Sequence, residues 1–178
     1  MRPDLLHVVT TLSNPVRYSS RYRLYETFVE QMLRAGVRLT TVELTYGERP
    51  SEARQILERV SARLGMCQEF GLIRVRGDAE LWHKENMIDI GIASLPPDAK
   101  YIAWIDADVT FQRPDWACET VERLQEFAVL QLFGHAVDLA PDYQLAPPHR
   151  HSSSFAFAHM HCHPSISGRY DDHNWHPG

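Results

Sequence analysis

Cysteine, lysine and long apolar runs are all scarce in this chain of 178 residues. The three cysteines, Cys67, Cys118 and Cys162, are odd in number, widely spaced and without a CxxC pair. That argues against a disulfide scaffold and makes a reducing compartment the default, so a cytoplasmic protein is expected. No stretch approaches the roughly 18 apolar residues of a membrane helix, and no membrane span is expected. Met1-Arg2-Pro3-Asp4-Leu5 carries an acid at once and lacks the apolar core of a signal peptide. A basic surplus is also lacking: the net charge of −5 disfavours a general nucleic-acid binder. Of the 18 basic residues only Lys84 and Lys100 are lysine, a bias that genome composition explains. What is present, 44% hydrophobic and 23% charged residues, matches an ordinary globular domain rather than a disordered or low-complexity chain.

Histidine is unevenly spread. Seven of the ten lie from His149 onward, in a stretch without Leu, Val, Lys or Glu. The composition shifts near Pro147-Pro148. Two regions are therefore expected: an α/β domain over 1–148 and a histidine-rich loop, or the start of a further segment, over 149–178.

Strands and helices alternate. Leu5 to Leu12 is short, apolar and rich in β-branched residues, as a buried strand is. A helix is expected over about Ser20–Ala35, with Leu24, Tyr25, Phe28, Met32 and Leu33 on one stripe and Gly36 past its end. Val37–Leu44 reads as a second strand. Pro50-Ser51-Glu52 opens a second helix that Gly65 stops. Phe70–Val75 is a third strand. Asp78 can cap a third helix reaching about Ser94, with Leu81, Met87, Ile88 and Ile92 inward. Tyr101–Ile105, apolar on both faces, reads as a central parallel strand. A helix from Pro114 and a fifth strand over Phe127–Phe133 complete the series. The pattern predicts an α/β fold, a three-layer α/β/α sandwich around a mostly parallel sheet, with ligands beyond the carboxyl ends of the strands.

The sharpest motif stands at such an end: Ile105-Asp106-Ala107-Asp108-Val109. Strand alternation aims both carboxylates the same way. Two like charges so close call for a cation or strong donors. Mg²⁺ and Mn²⁺ take carboxylate oxygens and complete their shells with substrate phosphates, so a metal-bound diphosphate is expected, with Asp106 and Asp108 as metal ligands. A solvated strand-end turn is the alternative.

Leu81-Trp82-His83-Lys84-Glu85-Asn86-Met87-Ile88-Asp89-Ile90-Gly91-Ile92, followed by Tyr101 to Asp108, resembles the nucleotide-sugar-dependent glycosyltransferases with the GT-A fold. In these, a helix with a basic residue leads into the strand that ends in DxD. The resemblance covers roughly Leu5 to Phe133; Asp89, where many relatives have Asn, departs from it. It implies transfer of a sugar from a nucleotide-sugar donor, with UDP the expected nucleotide, to an acceptor the sequence does not name. It also implies a donor site of Thr10, Asn14, Arg21, Glu43, Lys84 and Asp106, with Glu43 against the base, Lys84 on the diphosphate, and Mn²⁺ or Mg²⁺ as cofactor. For Lys84, an i,i+4 pair with Glu80 is the alternative. Arg17 and Tyr18 are further candidates for base or phosphate.

An inverting transferase needs a general base. Relatives supply it from a second half that is short here, so a truncated domain is expected, with Asp171 and Asp172 as base candidates. Phe155 to His163 alternates, and as a strand it would put His159, His161 and His163 on one face, a possible metal set. Two rival readings follow: a nucleotidyltransferase of related fold, against which Thr10 to Pro15 contains no glycine, and a non-catalytic metal- or nucleotide-binding module built on the histidine tail.

Overall fold

The computed structural model describes residues 2–66, 70–79, 81, 83–140, 151–160 and 175–176. The chain divides into two compact units, Met1–Glu126 and Phe127–Gly178. The composition break at Pro147-Pro148 lies outside the described residues.

In the first unit, β1 (Leu6–Ser13), α1 (Ser19–Ala35), β2 (Arg38–Tyr46), α2 (Glu52–Leu64), β3 (Gly71–Gly77), α3 (Lys84–Ala93), β4 (Tyr101–Trp104) and α4 (Trp116–Arg123) follow one another. The four strands form one all-parallel sheet in the order β3-β2-β1-β4. β1 and β2 are buried along most of their length, because helices cover both faces. The alternation of β2 assigns the faces. Thr41 bonds the Tyr25 hydroxyl of α1 at 2.9 Å, and Glu43 accepts from residues at the start of α2. Val42 and Leu44 turn the other way and form a buried cluster with Met87 of α3. The architecture is thus the expected α/β/α sandwich.

Local signals explain most boundaries. Gly36 and Gly65 adopt left-handed conformations, φ 73° and 64°, at the ends of α1 and α2. The Ser51 hydroxyl accepts from the Arg54 N–H and caps α2. Glu26 and Glu30 of α1 meet Arg59 and Arg63 of α2 at 2.7–2.9 Å; Arg59, with Arg63, holds the Glu26 carboxyl below the usual range, and Arg34 of α1 itself, with Arg63, does so for Glu30.

Three expectations are corrected. α3 begins at Lys84 rather than near Asp78, and Leu81, expected inward, is 66% exposed. β4 lies at the sheet's edge among the described residues, because β1 takes the centre; Trp104 is 57% exposed. An apolar run does not by itself distinguish the two places. No strand forms over 127–133, where Phe127 and Val129 are exposed.

The second unit holds a small sheet of β5 (His135–Val137), β6 (His151–Ser154) and β7 (Trp175–His176), with α5 (Phe155–Met160) after β6. The strand expected from Phe155 is instead this helix. Ser154 decides it: its hydroxyl accepts the Phe157 N–H at 3.1 Å, the bond of a helix cap. No described helix is long and apolar enough to cross a membrane.

Candidate functional site

The sheet order places a switch point between β1 and β4. From β1 the chain winds outward to β2 and β3, then returns to the other side of β1 as β4. Loops leaving adjacent strands in opposite directions open a crevice at their carboxyl ends, the general ligand position of such sheets. Asp106 and Asp108 follow β4 there, and the Asn14–Tyr18 loop follows β1.

Backbone and side-chain bonds hold this edge. The Ile105 N–H donates to Val9 O at 3.0 Å, carrying the ladder one residue past β4. Thr10 Oγ1 donates to Ile105 O at 2.7 Å in a buried bond. The Val109 N–H donates to Asp106 O at 3.3 Å and closes the turn holding Ala107 and Asp108. Both Asp side chains are exposed. Lys84, the first residue of α3, puts Nζ 2.6 Å from Asp106 Oδ1. Asp108 has no hydrogen bond or ion pair among the described residues. Lys84 therefore joins the DxD edge; Glu80, the alternative partner, lies outside the described residues.

A second group stands where β1 and β2 end. Leu12, Asn14, Tyr22, Glu43, Tyr46 and Arg49 line a small, solvent-open pocket of about 30 Å³. Asn14 is buried and clamps its loop, its Nδ2 donating to Tyr18 O at 2.9 Å and its Oδ1 accepting the Tyr18 N–H at 3.0 Å. Arg17 in that loop has φ 59°, a left-handed conformation rare for a side chain of its size, and approaches Glu52 at 3.6 Å. Arg21 donates to Ser13 O at 3.0 Å. Arg49 reaches across to Pro15 O at 2.8 Å and lies 5.9 Å over the Tyr46 ring. Burial raises the Tyr22 hydroxyl above its ordinary value.

Glu43 is buried, and both its oxygens are engaged: Oε2 accepts from the Ser51 hydroxyl and Oε1 from the Ala53 N–H at 3.0 Å. It fastens the N-terminus of α2 to the sheet, a favourable place for a negative charge. Arg49, Tyr22 and Glu52 were not singled out from the sequence. The usable signal for Arg49 was the Gly47-Glu48-Arg49-Pro50 turn directly after a strand's carboxyl end.

The donor set suits a hard divalent cation that takes two carboxylates and fills its shell with phosphate and water oxygens. No group of three or more His, Cys, Asp or Glu able to hold a metal occurs among the described residues, so a closed all-protein cage is absent there. His159 is on α5 rather than on a strand face, and His161, His163, Asp171 and Asp172 lie outside the described residues.

No protein-family model matches the chain. No curated protein and no solved structure matches it significantly.

Proposed function

We propose that the chain binds a nucleotide-sugar, UDP-linked for preference, with Mn²⁺ or Mg²⁺, and acts as a glycosyltransferase of GT-A type. The observation that carries this reading is the pair Asp106 and Asp108 at the β1/β4 switch point with Lys84 beside them. A lysine in the first turn of a helix opposes the helix dipole, and no side chain caps α3 at His83. Such a local conflict is typical of a functional site. Lys84 together with the first N–H groups of α3 makes a corner suited to a diphosphate.

The pocket lined by Tyr22, Tyr46 and Arg49 offers ring and guanidinium faces to the nucleoside on the β1/β2 side of the same edge. Asn14 and Arg21 shape the loop between the two places, and Thr10 and Glu43 hold the backbone beneath them. Asp106 and Asp108 would hold the metal. When bound, it supplies Lewis-acid neutralisation of the departing diphosphate. Lys84 orients the diphosphate and adds a second positive charge. The acceptor and a general base are not assigned.

Calorimetric titration with UDP, in Mn²⁺ and in EDTA, tests the reading. Binding that needs the metal is expected. Equal affinity in both conditions, or none in either, would refute it.

A further inference from the structure

The two carboxylates of the DxD motif have unequal surroundings. Asp106 is already neutralised at 2.6 Å by Lys84, whose side chain is 33% exposed against 52% for Asp106. Asp108 is exposed and unpartnered among the described residues. The ammonium thus stands against an oxygen that an arriving cation would use. Its three N–H donors and flexible four-carbon stem let the ammonium shift from Asp106 toward an arriving diphosphate.

We propose that Lys84 is a resident counter-ion of Asp106, which a divalent cation must displace and which the incoming diphosphate then takes over, so that metal and nucleotide bind cooperatively rather than independently. This rests on the donor-binding reading above. The physical basis is twofold. A cation entering beside Lys84 meets a like charge, which lowers its affinity for the nucleotide-free protein. A diphosphate draws the ammonium away and supplies oxygens of its own, which raises that affinity. The coupling is reciprocal: the factor by which the nucleotide tightens metal binding is the factor by which metal tightens nucleotide binding.

The signature is a single substitution with opposite effects on the two ligands. In Lys84→Met, Mn²⁺ alone, followed by the electron-spin signal of the free ion, should bind about tenfold more tightly, within the usual range of coupling factors. UDP at saturating Mn²⁺, followed by calorimetry, should bind about tenfold more weakly. Lys84→Arg, which keeps the charge, should stay near wild type in both, and Lys84→Gln should repeat the Met result if Lys84→Met melts early. Mn²⁺ binding unchanged or weakened in both neutral variants, with metal-dependent UDP binding intact in the wild type, overturns the counter-ion proposal alone. UDP binding by the wild type that ignores Mn²⁺, or its absence, overturns the donor reading and the proposal with it.

Discussion

Thr10 Oγ1 donates a buried hydrogen bond of 2.7 Å to the carbonyl oxygen of Ile105, the residue before Asp106. The bond spans 95 residues of sequence and locks the end of β4 to the middle of β1. A strand-end turn carrying two carboxylates is thereby held on a rigid element, as a site needing fixed geometry requires. Thr10→Val keeps the shape and leaves the Ile105 carbonyl unsatisfied, at a cost of about 1–3 kcal/mol. Denaturant unfolding should show the loss, and Thr10→Ser should recover most of it. An unchanged midpoint for Thr10→Val would count against this role.

Asp108→Asn should abolish the metal-dependent part of UDP binding. Asp115→Asn should not, because Asp115 is held by Arg113 at 2.7 Å on the exposed start of α4, outside the motif. Calorimetry on both variants separates a local charge effect at the motif from a general loss of acidic surface.

Glu43→Ala removes the acceptor of both the Ser51 hydroxyl and the Ala53 N–H from a buried position. Unsatisfied buried donors cost about 1–3 kcal/mol each. A clear fall in melting temperature is expected. A stable Glu43→Ala protein that has lost only UDP binding would instead show that Glu43 contacts the base.

Gly91 lies where α3 meets the sheet. A Cβ there would stand 2.5 Å from Val9 Cγ1 and 3.0 Å from Val42 Cγ2. Both are buried β-branched side chains with little freedom to move. Gly91→Ala should therefore destabilise by about 1–3 kcal/mol, as overpacked cores do, although alanine is the better helix former. Thermal unfolding measures it, and a more stable variant would refute the close approach.

His7 is buried at the amino end of β1. Desolvation, then the nearby Arg38, holds its imidazole below the ordinary value of 6.5, with Asp98 opposing. The folded state thus binds this proton less readily than the unfolded chain. The contribution to stability is complete above pH 6.5 and is lost as pH falls through the lower folded value. His7→Gln should flatten the difference in urea midpoint between pH 7.5 and pH 5 relative to wild type. An equal pH dependence in both proteins would exclude His7 as its source.

The order of strands and helices, the caps at Ser51, Gly36 and Gly65, and the carboxylate pair at a strand end were legible in the sequence because each depends on neighbours within a few residues. Apolar period, a hydroxyl before a first turn and a left-handed glycine after a last one are all local signals. They failed at Asp78, since α3 starts at Lys84 instead, and over 127–133, where no strand forms, and they reached their limit at α5. There the alternation from Phe155 imitates a strand, but the local cap at Ser154 starts a helix.

Long-range relations were decided only by the tertiary structure. β4 reads like a central strand, since apolar faces report burial by helices and not which strands lie alongside; its edge position follows from β1 pairing with both β2 and β4. Lys84 found Asp106 because α3 lies across β1 and β2 and brings its first turn to the switch point; helical spacing alone would pair it with Glu80. Glu43, an acid at a strand end in the sequence, became the anchor of α2 because that strand face turns toward Ser51 and Ala53. Period and caps set each element's identity, whereas the packing of faces chose which polar groups would meet, and that choice turned separate residues into one candidate site.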